Sequence, residues 1–182
     1  MQKLVLALML LAVPGMARGQ ETRTVVTKAT TVADDAKANS PGVPDAYTIS
    51  GQFTRILVVR LKYQADVLAG LENMVRKEKI VNGVILSGAG SVRGYHYHTV
   101  SNRTFPSVNV YVRNPTAPAD LASMNGYVIA GRIHAHVTFA TPDKAFGGHL
   151  EPGTEVFTFA VVTIGVLDDK TDLGRVDDKT YR

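Results

Sequence analysis

The stretch Gly131 to Gly153, GRIHAHVTFATPDKAFGGHLEPG, decides how the rest of the chain is read. It holds three of the five histidines, His134, His136 and His149. Arg132 to Ala140 is rich in β-branched and aromatic residues, and Thr141-Pro142-Asp143 follows as a turn, so the pattern predicts a strand that then reverses. Residues two apart on a strand share a face, about 6.5–7 Å apart along the chain. His134 and His136 therefore aim at one point, and His149 can return to it on the neighbouring strand. Gly147-Gly148, just before His149, lets that backbone come close. Two facing imidazoles and a third from an adjacent strand make a three-nitrogen site with open positions. That is the ligand pattern of a catalytic zinc site rather than of a closed structural one. Zinc is the first expectation for a divalent metal, since imidazole suits it; nickel, copper and iron are also compatible. The competing reading is that these histidines stabilise the strands, or a subunit interface, through hydrogen bonds.

Outward from this stretch, Glu155 to Leu167 (EVFTFAVVTIGVL) reads as a long core strand and Tyr127 to Ala130 as the lead-in to the histidine strand. Val108 to Arg113 alternates as a strand, and Pro118 to Met124 reads as a short helix. Val92 to Val100 is a strand carrying a second His-x-His pair, His96 and His98. These can add a fourth ligand, line the same pocket, or simply make a polar strand face. Tyr95 and Tyr97 alternate with them and face the other side. Ser87 to Ser91, SGAGS, reads as a small-residue loop after the short buried strand Val84-Ile85-Leu86. A glycine-rich loop of this kind cradles phosphate when a helix follows, and here a strand follows, which favours a tight turn.

Ala65 to Lys79 reads as the main helix: Val67, Leu68, Leu71, Met74 and Val75 keep the i, i+3, i+4, i+7 pattern. Asp66 suits its N-terminus, and Arg76, Lys77 and Lys79 suit its C-terminal dipole. Phe53 to Leu61 is a strand with a run, Ile56 to Val59, apolar enough for burial on both faces. One helix among about seven strands, several joined by short turns, gives an α+β fold with a mainly antiparallel sheet and the helix packed on it. Such a sheet leaves edges and an apolar face, so self-association is expected.

The ends differ from the middle. Lys3, the apolar run Leu4 to Val13 and the small residues around Ala17-Arg18-Gly19 read as a signal peptide over 1–19, hence a periplasmic or secreted protein. The run is too short to span a membrane. Residues 20–46 are rich in Thr, Ala, Asp, Lys and Pro without apolar period and read as a flexible linker. The folded domain is expected over 47–168, and 169–182 as a polar tail that frays. With 182 residues, 45% of them apolar, the chain can bury a core. Its net charge is +4, and without Lys3 and Arg18 the mature chain is left with 18 basic and 16 acidic residues. That is no nucleic-acid-like excess. There is no cysteine, so neither a disulfide nor a thiol nucleophile is available, and the absence of a Gly-x-Ser-x-Gly elbow disfavours a triad hydrolase.

GRIHAHVTFATPDKAFGGHLEPGTEVFTF, with its Gly147-Gly148-His149 after an upstream His-x-His, resembles the signature of the plants and prokaryotes conserved (PPC) domain. IVNGVILSGAGSV resembles that family's earlier segment, and the likeness covers about Phe53 to Leu167. The resemblance implies an α+β fold and a homotrimer. It also implies the family's frequent DNA-binding label, although this chain has no Arg-Gly-Arg-Pro hook. Val161 stands where the family more often has an acidic residue, so a carboxylate there is not on offer. The fold is also similar to that of acetolactate decarboxylase, whose zinc is held by a His-x-His and a later histidine; the matching positions are His134, His136 and His149. The candidate pocket around them takes in His96, His98, Arg132 and Glu151; Arg132, two residues before His134 on the same face, is either a solvated strand end or a holder for an anionic small-molecule ligand. Asp143, Glu151 and Glu155 are the candidate acid–base groups. Three functions follow: a metal-binding trimer that also takes a small ligand, a metal-dependent lyase or hydrolase, and a DNA-binding regulator.

Overall fold

The computed structural model describes residues 19–27, 33, 42, 44–104 and 106–177. The expected signal peptide lies, apart from Gly19, outside the described residues. Among the described residues eight strands and one main helix follow in chain order: β1 (Thr22–Thr27), β2 (Phe53–Lys62), α1 (Val67–Lys77), β3 (Gly83–Val100), β4 (Val108–Asn114), β5 (Ala119–Ile129), β6 (Arg132–Ala140), β7 (Ala145–Leu150) and β8 (Glu155–Leu167). Every ladder is antiparallel. The α+β class with one helix on an antiparallel sheet is therefore observed.

The topology turns on β3. Its first half pairs with β5 and β8, and its second half with β4 and β7. Because β5 pairs with β6 and β6 with β7, the strands β3, β5, β6 and β7 close a hydrogen-bonded ring. One side of this ring is the core. Tyr95 and Tyr97 are buried there with Phe139, and Phe146 packs on them with its ring 4.9 Å from that of Tyr95. The tyrosines thus face away from His96 and His98, as alternation predicts. Burial holds the Tyr95 phenol well above its usual pKa, and its O–H donates to Glu21 at 2.8 Å.

The helix buries Val67, Leu71 and Val75 against the sheet. Asp66 caps it, accepting from the Ala69 N–H at 2.8 Å, while its second oxygen accepts from the Gly153 N–H at 2.6 Å. The Val67 N–H donates to the Thr154 carbonyl at 2.9 Å. One cap therefore serves both the helix and the β7–β8 corner that follows His149.

Four local expectations need correction. The Ser87 to Ser91 segment is no loop: β3 runs through it, with a register shift between Ile85 and Ser87. Its small residues mark close approach, since a Cβ on Gly88 would lie 2.6 Å from the Cβ of Met124. Pro118 to Met124 is no helix either, because Ala119 and Leu121 sit buried in β5 between β3 and β6. The linker expected over 20–46 begins with β1, which adds to the β4 edge although its residues are exposed on both faces. Lastly, the tail from 169 is not wholly loose: Thr171 and Leu173 are buried, and a 3-10 turn follows at Gly174–Asp177. Among the described residues no helix is long and apolar enough to cross a membrane.

Candidate metal centre

The histidines stand on the face of the ring opposite the core. Register sets them in line: His98 of β3 pairs with His149 of β7, and His149 pairs with His136 of β6. His134 lies two residues along β6 on the same face. Close strand approach depends on the two glycines beside His149. A Cβ on Gly147 would lie 2.0 Å from the Val137 carbonyl oxygen, and one on Gly148 would lie 2.2 Å from that of His98. No side chain fits either gap, so this glycine pair brings β7 tightly between β6 and β3.

The result is convergence. One ligand atom each from His134, His136 and His149 lies within 4.8 Å of the others. The ring centres of His134 and His149 are 4.8 Å apart, and those of His136 and His149 5.4 Å. Burial, followed by the neighbouring His98 and His134, pushes the His149 pKa down to about 4. Burial and His134 lower that of His136 as well. Both are therefore neutral imidazoles at ordinary pH, the form that offers a lone pair to a metal. None of the three rings hydrogen-bonds to another described residue, so the donor set fits a divalent ion.

The remaining expected pocket residues separate by role. His96 is tied to the β7–β8 corner: its Nδ1 donates to the Pro152 carbonyl at 2.7 Å, and its backbone N–H and carbonyl both bond the Thr154 hydroxyl at 3.0 Å. His98 packs between Tyr111 and His149, with ring centres 4.8 and 4.7 Å away. Its Nδ1 meets the Glu151 carboxylate at 2.6 Å, and each side chain is only 19% exposed. Arg132 is exposed at the start of β6, on the His134 face. Of the three candidate carboxylates, Glu151 alone is beside the histidines. Glu155 pairs with Arg93 at 3.3 Å, and Asp143 sits exposed in the β6–β7 turn. Three neighbours were not anticipated: Tyr111 on His98, Asn125 opposite His136 and Tyr127 opposite His134. Each is reached only through strand register, which no sequence motif supplies.

The sequence profile of the Plants and Prokaryotes Conserved (PCC) domain matches residues 48–168. The chain belongs to that family. Among solved structures, the PCC chain is similar to a metal-containing protein from Archaeoglobus fulgidus, with 22% identity over 68% of this chain and 86% of that one, at a TM-score of 0.58. It is also similar to a plant- and prokaryote-conserved protein from Pyrococcus horikoshii, with 21% identity, 68% and 85% coverage and a TM-score of 0.55. A protein of Bacteroides thetaiotaomicron provisionally named as DNA-binding shares 16% identity over 66% of this chain and 85% of its own, at a TM-score of 0.51. At these identities the likeness establishes the shared fold. No curated protein matches the chain.

Proposed function

We propose that this PCC-domain protein is exported, assembles as a homotrimer and binds a divalent metal, zinc foremost, through His134, His136 and His149. The observation that carries the reading is the convergence of three imidazoles from two adjacent strands within 4.8 Å. The metal-containing name of the Archaeoglobus fulgidus neighbour agrees with it. A bound ion would supply Lewis acidity, polarising a ligand's oxygen or lowering the pKa of water. Arg132, on the same face, would add a positive charge for an anionic small ligand. Self-association is supported by exposed apolar side chains along one face of β2 and β8: Val58 is 69% and Ile56 51% exposed, and further along the same pair of strands, past Arg60, Phe157 and Phe159 are exposed as well. Monomers rarely leave such a face bare. Export rests on the charged and apolar pattern of residues 1–19.

A metal-dependent lyase or hydrolase is the second reading, and the observation favouring it is the half-buried Glu151 carboxylate two residues beyond His149. The DNA-binding name of the Bacteroides thetaiotaomicron neighbour supplies a third, which demands binding to duplex DNA that falls steeply with salt. Metal analysis of mature protein, purified without chelator or a histidine tag, tests the main proposal against the His134→Ala/His136→Ala double variant. About one ion per chain in the wild type, lost in the variant, is expected. A wild type that stays metal-free after loading with zinc overturns it.

A further inference from the structure

Three of the four corners of one patch of sheet are histidines, and the fourth is Glu151. His136 stands opposite His149 across the β6–β7 ladder. Two residues along the same antiparallel pair, His134 comes level with Glu151. Although β7 ends at Leu150, the Glu151 N–H donates to the His96 carbonyl at 3.1 Å, so the chain keeps its register with β3 for one residue more. Side chains two apart on a strand share a face. Glu151 therefore projects from the same face as His149, at the vacant corner of the block formed with His134 and His136.

The carboxylate is also held for use. One oxygen, Oε1, takes the His98 Nδ1 hydrogen at 2.6 Å. His98 is itself fixed between Tyr111 and His149. Metal-ligating carboxylates commonly carry such an outer hydrogen bond, which sets their orientation while the other oxygen binds the ion. Here Oε2 is that other oxygen; the carboxylate stands outside the group of three histidine nitrogens that lie within 4.8 Å of one another, so a turn of the Glu151 side chain about its bond to His98 must bring Oε2 to the ion. The corner is braced from behind by Thr154 on His96 and by Asp66 on Gly153, so little backbone freedom remains to carry Glu151 away.

We propose that Glu151 is a fourth protein ligand of the metal centre, binding through Oε2, with His98 as the residue that positions it. This rests on the three-histidine reading and deepens it. A mixed set of three imidazoles and one carboxylate neutralises one charge of a divalent ion. It also fills a tetrahedral ion's shell, so a small ligand at the centre requires an ion that accepts five or six donors.

The test uses cobalt(II) alone as probe, with full-length mature protein, Glu151→Gln, His98→Ala and His149→Ala, each first checked for an unchanged circular dichroism spectrum and thermal midpoint. Gln keeps the size of Glu and an oxygen to accept from His98, so a merely structural role predicts no change. As a ligand, Glu151 predicts cobalt binding at least about 10-fold weaker in Glu151→Gln, with displaced visible absorption bands. His98→Ala is expected to weaken binding less while leaving the bands closer to wild type. Wild-type affinity and spectrum in Glu151→Gln, with binding lost in His149→Ala, overturn the Glu151 assignment and leave the three-histidine centre standing. A wild type that takes up no cobalt overturns both.

Discussion

At His149 the chain has placed an ionisable ring where protonation is disfavoured. Its folded pKa is about 4, against an ordinary value of 6.5. Between those values the unfolded chain binds a proton that the folded chain refuses, so stability rises with pH there. The contribution is whole above about pH 6.5, is lost as pH falls towards 4, and changes no further below that. Thermal midpoints of metal-free protein should therefore decline across this window, and the decline should be shallower in His149→Gln, which cannot titrate. An equally steep profile in that variant would remove His149 as the cause. Single residues were also where the sequence was most legible. A His-x-His on a strand declares its shared face through the two-residue period, and Gly-Gly declares a close backbone approach. Glu151 could be named only as one of three carboxylates, because Asp143 and Glu155 are equally near in sequence. What singles it out is the β3–β7 register and the bond to His98.

Among the elements, α1 was plain because its apolar spacing, its Asp66 cap and its basic last turn all agree. Asp66 does more than end a helix, since it also accepts from Gly153 in the corner behind Glu151. Asp66→Ala should cost about 2 kcal/mol, the upper part of the range for a lost N-cap, because a second donor is orphaned as well. Urea unfolding with an unchanged slope would measure it, and a loss under roughly 0.5 kcal/mol would contradict the double role. β3 and β5 were misread for a common reason. Small and short-period segments such as SGAGS and PADLASM carry weak local preference, and pairing on both edges overrides it. β1 escaped notice because its residues pack on nothing, so burial wrote no pattern into them; its backbone ladder to β4 and the bond from Tyr95 to Glu21 hold it.

Over the whole molecule, the antiparallel α+β class was legible from strand spacing, but the ring was not. Ring closure depends on β3 offering different partners along its length, and no single segment encodes that. The exposed face of Ile56, Val58, Phe157 and Phe159 belongs to this scale too. If it is buried between subunits, light scattering should give three times the chain mass, and Val58→Glu should give a monomer that keeps its fold. A wild type that scatters as a single chain would refute the trimer.

The closed ring also bears on the order of events during folding. Gly83 pairs with Val166 and His98 with His149, so the ladders join parts of the chain that are made far apart in time. Closing such long loops is entropically slow, and little of the reward arrives before the partners meet. The three histidines stand apart from that slow step: His134, His136 and His149 face one another across the short β6–β7 hairpin, which needs no distant partner to form. An ion they held would be available before the ring closes, steadying the hairpin that β3 must meet, and so would quicken the search for the native state as well as slow escape from it.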